Sequence, residues 1–181
     1  MQREQLDHIL RAAAAIADRD RFVVIGSQAI LATVANPPPD LIQSIEVDLY
    51  APDDPHASDL LDATIGELSP FHQTFGYYAH GIARETAVLP EGWEDRLVPY
   101  SSPAAPGVLA LCLEPHDLAV AKLAAARHKD TAFVATMIQE AIVDPDEIAR
   151  RIEHTSVPTE KKQQMQAALI RSRQPPNGGD S

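Results

Sequence analysis

The segment Ile45-Glu46-Val47-Asp48-Leu49-Tyr50 constrains the fold of this chain more than any other. Apolar and acidic residues alternate through it, so as a strand it turns Ile45, Val47 and Leu49 to one face and Glu46 and Asp48 to the other. The apolar face needs a sheet covered by helices. The two carboxylates stand on one side, roughly 7 Å apart at the backbone, a spacing from which both side chains can hold one or two divalent cations. Upstream, Arg21-Phe22-Val23-Val24-Ile25 is apolar and β-branched, about as long as a strand buried on both faces, and it ends at Gly26-Ser27.

The rest of the chain supplies the elements to surround such strands. Leu6, Ile9, Leu10, Ala13, Ile16 and Ala17 recur at helical spacing and predict a first amphipathic helix ending near Ala17. Gln28 to Ala35 reads as a short apolar helix, stopped by Asn36-Pro37-Pro38-Pro39-Asp40, where the prolines remove donors and force an exposed connection. Ser58 to Leu68 predicts a helix capped by Ser58, Phe71 to Val88 a β-hairpin punctuated by Gly76 and Gly81, and Leu89 to Trp93 a turn pinned by Trp93. Arg96 to Tyr100 and Val108 to Leu113 read as further strands. Glu114-Pro115-His116-Asp117 has the proline and acid of a helix start, with the helix running from Leu118 to His128. Asp144-Pro145-Asp146-Glu147 is another start, with Asp144 as cap and Glu147 reaching back, and Glu160 to Arg171 is a last helix. These elements describe an α/β (α+β) protein: a mixed sheet flanked by helices over residues 1–113, a helical region over 114–173 packed on it, and a disordered tail over 174–181.

A chain of 181 residues suits one compact domain. Its net charge of −11 and pI of about 4.9 repel a polyanion and disfavour extended nucleic-acid binding. A compact anion that arrives with its own divalent cations, such as a nucleoside triphosphate with Mg²⁺, is not disfavoured in this way. No apolar run reaches the eighteen or so residues a bilayer needs, and the expected location is the cytoplasm. Cys112, the lone cysteine, sits in an apolar run and reads as a small buried hydrophobe. The seven histidines form no metal signature: His116 and His128 are not at ligand spacing on one helical face, and no cysteine pair accompanies them.

A strand ending in Gly-Ser, followed by an acid-hydrophobic-acid strand, resembles the core motif of the nucleotidyltransferase superfamily. The phrase Val24-Ile25-Gly26-Ser27-Gln28-Ala29-Ile30-Leu31 with Ile45-Glu46-Val47-Asp48-Leu49 is similar to the abortive-infection toxin branch (AbiEii-like) and related bacterial proteins. The segment Asp117 to Asp130, containing Lys122 and Arg127, is similar to a later helix of that branch. The resemblance implies the nucleotidyltransferase fold, a nucleoside triphosphate substrate and Mg²⁺ or Mn²⁺ on Glu46 and Asp48. It also implies phosphate contacts from Gly26 and Ser27, with charge neutralisation by Lys122 and support from Arg127. Glu85 is the expected third carboxylate. The activity implied is transfer of a nucleoside monophosphate to a hydroxyl, in a toxin–antitoxin or phage-defence setting with a cognate protein partner. Two other readings stay open at this point: a non-catalytic binding or regulatory protein on the same fold, and a metal-dependent phosphohydrolase.

Overall fold

A computed structural model describes residues 1–173; the expected tail over 174–181 lies outside the described residues. The chain divides into two compact units, one made of Met1–Ala87 with Glu94–Glu114, the other of Val88–Trp93 with the chain from Pro115 onward. The first holds the sheet. Its strands are β1 (Arg21–Val24), β2 (Glu46–Tyr50), β3 (Tyr78–Gly81), β4 (Val98–Tyr100) and β5 (Leu109–Cys112), in spatial order β3-β2-β1-β5-β4. Parallel pairs (β1 with β5, β2 with β3) mix with antiparallel ones (β1 with β2, β4 with β5). The fold is therefore the mixed, helix-flanked α+β architecture expected from the sequence.

Central β1 is the apolar run, with Phe22, Val23 and Val24 buried. Helix α1 (Arg3–Ala17) presents Leu6, Ile9, Leu10 and Ala13 to the core. Its one buried acid, Asp7, accepts hydrogen bonds at 2.7 Å from the Tyr100 hydroxyl beside it and at 2.7 Å from Ser102. The parallel step from β2 to β3 needs a crossover, which α2 (Ala57–Ile65) and α3 (Pro70–Phe75) provide, with α2 packed on both strands. Ser58, expected as a helix cap, lies inside α2 and donates instead to the Ile82 carbonyl at 2.8 Å.

Two further expectations are corrected in this unit. The segment 71–88 is not a hairpin: Ser69 caps α3 by accepting from the His72 amide, Gly76 ends that helix at φ +76°, and only Tyr78–Gly81 joins the sheet. Residues 28–35 form no α-helix but a tighter 3-10 helix, Ser27–Ala32.

The second unit is helical: α4 (Pro115–Ala125), α5 (His128–Gln139), α6 (Pro145–Glu153) and α7 (Thr159–Ser172) pack on one another around Leu118, Leu123, Val134, Ile148, Ile152 and Met165. The expected single helix to His128 breaks at Ala126, whose φ of +58° is left-handed, and α5 starts anew. Asp144 caps α6 as expected, accepting from the Asp146 amide at 2.8 Å, whereas Glu147 turns to Arg151 rather than back to the cap. Among the described residues no helix is long and apolar enough to cross a membrane.

Asp117 proves more than a helix-start residue. Its side chain is fully buried and meets Arg151 at 2.8 Å, tying α4 to α6. Arg151→Ala is expected to lower stability by about 3 kcal/mol, because it strips a buried carboxylate of a charge partner. The double change Asp117→Leu with Arg151→Met should recover most of that loss, which denaturant titration followed by circular dichroism will measure.

Candidate active site

The register of β1 on β2 sets Val24 opposite Leu49, and the ladder continues one step further as the Ile25 amide donates to the Asp48 carbonyl at 3.0 Å. The chain therefore leaves β1 at Gly26 alongside the acidic end of β2. A Cβ on residue 26 would lie 1.9 Å from Asp48 Oδ2. Gly26 is itself extended, with φ −77° and ψ −169°, a conformation open to any residue. Glycine is required here for the space it leaves to a carboxylate. Ser27 follows as the first residue of the 3-10 helix.

On its other edge β2 runs parallel to β3, pairing Glu46 with Tyr78 and Asp48 with His80. Paired residues share a face, so the polar face of β2 continues onto β3. His80 Nδ1 lies 3.1 Å from Glu46 Oε1 and 3.1 Å from Asp48 Oδ1. The Tyr78 hydroxyl donates to Glu46 Oε2 at 3.3 Å. One ligand atom from each of Glu46, Asp48 and His80 falls within 4.8 Å of the others. All three side chains keep part of their surface in solvent, at 33%, 29% and 47% exposure.

The crowding perturbs each group. Burial, the charge of Glu46 and a hydrogen bond to it push the Asp48 carboxyl up to about 6, against the opposing pull of His80. Burial alone would raise Glu46 too, but its hydrogen bonds with Asp48, Tyr78 and His80 and the imidazolium charge hold it below the usual carboxylate range. Burial likewise works against a charged His80, and is outweighed by Asp48, Asp62 and Glu46, which raise it. When protonated, His80 is a positive charge between the two acids.

Of the residues singled out in the sequence, Asp48 packs on Gly26, with Glu46 on the same face of its strand and Ser27 next along the chain. Glu85, the expected third carboxylate, lies off the sheet: β3 ends at Gly81, pressed on the Ser58 carbonyl, so the chain has left the sheet before residue 85. Glu85 stands exposed on the 3-10 turn Arg84–Thr86, outside the cluster, and Arg84 pairs with Glu94 rather than with it. The third group is His80, a histidine to which sequence reasoning gave no metal role. Its signal was the alternation Tyr78-Ala79-His80, two polar residues around a buried alanine, which only the β2 register turns into a site.

Lys122 and Arg127 belong to the helical unit. They converge on the buried Asp130, with Lys122 Nζ 3.4 Å from Oδ1 and Arg127 Nε 2.6 Å from Oδ2. Burial would raise the Asp130 carboxyl, and the hydrogen bonds and charges of these two cations instead hold it low. Lys122 also lies over the Phe133 ring, 5.3 Å from its centroid.

A strand ending in Gly-Ser packed against an acid-x-acid strand, in a five-stranded mixed sheet with helices around it, defines the nucleotidyltransferase class. The family model for nucleotidyltransferases of unknown function (DUF6036) matches residues 4–174, and the chain belongs to that family. Its general reaction is transfer of a nucleoside monophosphate, with a nucleotide as substrate. No curated protein and no solved structure matches the chain.

The shifts fix a pH dependence. Asp48 titrates near 6 in the fold against about 3.9 in an unfolded chain. The fold therefore binds the extra proton, and its stability falls as pH rises through about 6, by up to about 3 kcal/mol. The raised His80 acts in the same direction: its stabilisation is complete below its unfolded value and is lost as pH rises through its folded one. The lowered Glu46 acts oppositely, at lower pH, losing its stabilisation as pH falls through its folded value. The melting temperature of metal-free protein should therefore drop as pH rises from about 4 to about 7, and Asp48→Asn should flatten the part of that drop below about pH 6.

Proposed function

We propose that this protein is a divalent-cation-dependent nucleotidyltransferase that moves a nucleoside monophosphate from a triphosphate to a hydroxyl acceptor, with Glu46 and Asp48 holding the cation. One observation carries the reading: the Asp48 carboxylate is packed on Gly26, so the acid pair and the Gly26-Ser27 turn occupy one place. The donor set fits a cation, since a carboxylate whose proton affinity is raised by burial and by the charge of its neighbour is a site that a divalent charge relieves. Such a cation, when bound, neutralises phosphate charge and supports departure of pyrophosphate.

The chain's own residues then divide the work. Gly26 leaves room for Asp48 to stand beside the turn that meets the phosphates, and Ser27 supplies a hydroxyl to a phosphate oxygen. The acceptor oxygen forms its bond to the α-phosphorus as the bond from that phosphorus to the pyrophosphate oxygen breaks, so pyrophosphate leaves with the electron pair. The hydroxyl proton passes to the carboxylate pair. For Lys122 and Arg127, held on Asp130 within the helical unit, a phosphate contact is implied by the resemblance of the Asp117 to Asp130 segment alone. Resemblance of the Gly26-Ser27 and Glu46-Val47-Asp48 segments to the abortive-infection toxin branch supports a place in a toxin–antitoxin or phage-defence pair.

A second reading, nucleotide binding without turnover, is favoured by the imidazole standing where a third carboxylate was expected. Incubation with α-labelled triphosphates, Mg²⁺ or Mn²⁺ and candidate acceptors separates the two: label in an acceptor supports transfer, and calorimetric binding with no product supports the second reading. Asp48→Asn is expected to cut transfer by about a hundredfold or more, as loss of a metal-binding, charge-stabilising group does. Gly26→Ala should do nearly as much while remaining folded, because its methyl group displaces Asp48 Oδ2. Equal activity of parent and Asp48→Asn refutes the enzyme reading.

A further inference from the structure

We propose that His80 is the third protein ligand of the cation held by Glu46 and Asp48, and that its nitrogen makes the site prefer Mn²⁺ to Mg²⁺. The inference rests on the cation-dependent reading of the site and adds both a ligand and a metal class to it.

Geometry is the first argument. His80 Nδ1 is 3.1 Å from an oxygen of Glu46 and 3.1 Å from an oxygen of Asp48. Adjacent ligands of an octahedral ion with bonds of about 2.1–2.2 Å are themselves about 3 Å apart. The separations that His80 keeps from the two acids are those of neighbouring ligands around one ion, and all three ligand atoms lie within 4.8 Å of one another, so binding replaces a shared proton by a cation with little movement. The arrangement is also set by the backbone: Asp48 and His80 are register partners on adjacent parallel strands, and Gly81, the next residue, is anchored by its amide donating to Asp62 at 2.7 Å. His80 is delivered by the sheet, as the two acids are.

Donor chemistry is the second argument. Mg²⁺ favours all-oxygen surroundings and gives up water reluctantly, whereas imidazole is a good ligand for first-row transition cations, and carboxylates accept Mn²⁺ readily. Two carboxylates and one imidazole leave coordination positions open for triphosphate oxygens. The set also carries one negative charge fewer than three carboxylates, which weakens the purely electrostatic attraction that Mg²⁺ depends on. The partly exposed ring faces the acids through Nδ1, and that nitrogen becomes a ligand by giving up its proton.

Mn²⁺ alone, then Mn²⁺ with inorganic pyrophosphate as a nitrogen-free stand-in for the triphosphate, would be added to the whole protein and followed by electron spin-echo modulation and calorimetry. Modulation from a directly bound ¹⁴N is expected, changing to the ¹⁵N pattern when histidine alone is isotope-labelled, and vanishing in His80→Gln. Mn²⁺ should bind about tenfold or more tightly than Mg²⁺, with most of that margin lost in His80→Gln. Saturable Mn²⁺ binding that depends on Glu46 and shows no nitrogen modulation overturns the role of His80 and leaves the carboxylate site standing. Mg²⁺ binding as tight as Mn²⁺ overturns the preference. Absence of any saturable binding that Glu46→Gln alters removes the cation site altogether, and the proposed function with it. The labelled parent protein decides the matter even if His80→Gln fails to fold.

Discussion

The Asp48 carboxylate fills the volume that any side chain on residue 26 would need. That contact joins two pieces of chain that the sequence separates by a proline-rich connection, and it exists because β1 and β2 are antiparallel, so the end of one lies beside the start of the other. Packing on the apolar side holds the pair in place: Val24, Val47 and Leu49 are buried, and a slip of one residue would turn the acids into the core. The hydrophobic face of β2 thus determines where its charged face points.

Holding two acids so close is unfavourable in itself. Burial and mutual repulsion drive Asp48 toward its neutral form, and His80 relieves part of the strain as an internal cation. The metal-free fold carries an electrostatic cost localised in a few side chains that keep an open side to water. Groups that destabilise a fold yet stand together on one face are what a binding site for the opposite charge requires. The helical unit contains the reverse arrangement, a buried carboxylate surrounded by Lys122 and Arg127, where the opposite charges are already matched within the protein.

Much of this was readable from the chain. The β2 alternation, the apolar β1 run, the Gly26-Ser27 break and the α1 periodicity each report a local rule that the tertiary structure obeys. The readings that failed depended on distance in sequence or on competition between local rules. His80 is a lone histidine until parallel pairing sets it beside Asp48, and nothing within a few residues of it announces that register. Glu85 looked acidic and near enough, but the sheet ends at Gly81. The segment 71–88 has the glycines of a hairpin, but Ser69 and Pro70 just before it cap and begin a helix instead. Ala126 broke a helix that its composition favours, at a left-handed residue that propensity alone does not foretell.

One small contact governs what this architecture can tolerate. Gln28, fully buried in the first turn after Gly26, donates from its side-chain amide to the Ser44 carbonyl at 3.2 Å, and Ser44 in turn bonds the Glu46 amide that begins β2. Both ends of the intervening stretch are thereby clasped at one point, like the neck of a purse. Lengthening a flexible loop costs only about 0.6 kcal/mol per doubling, so the proline-rich part of that stretch, which runs over the surface between buried Leu31 and Leu41, can take insertions without moving the acids.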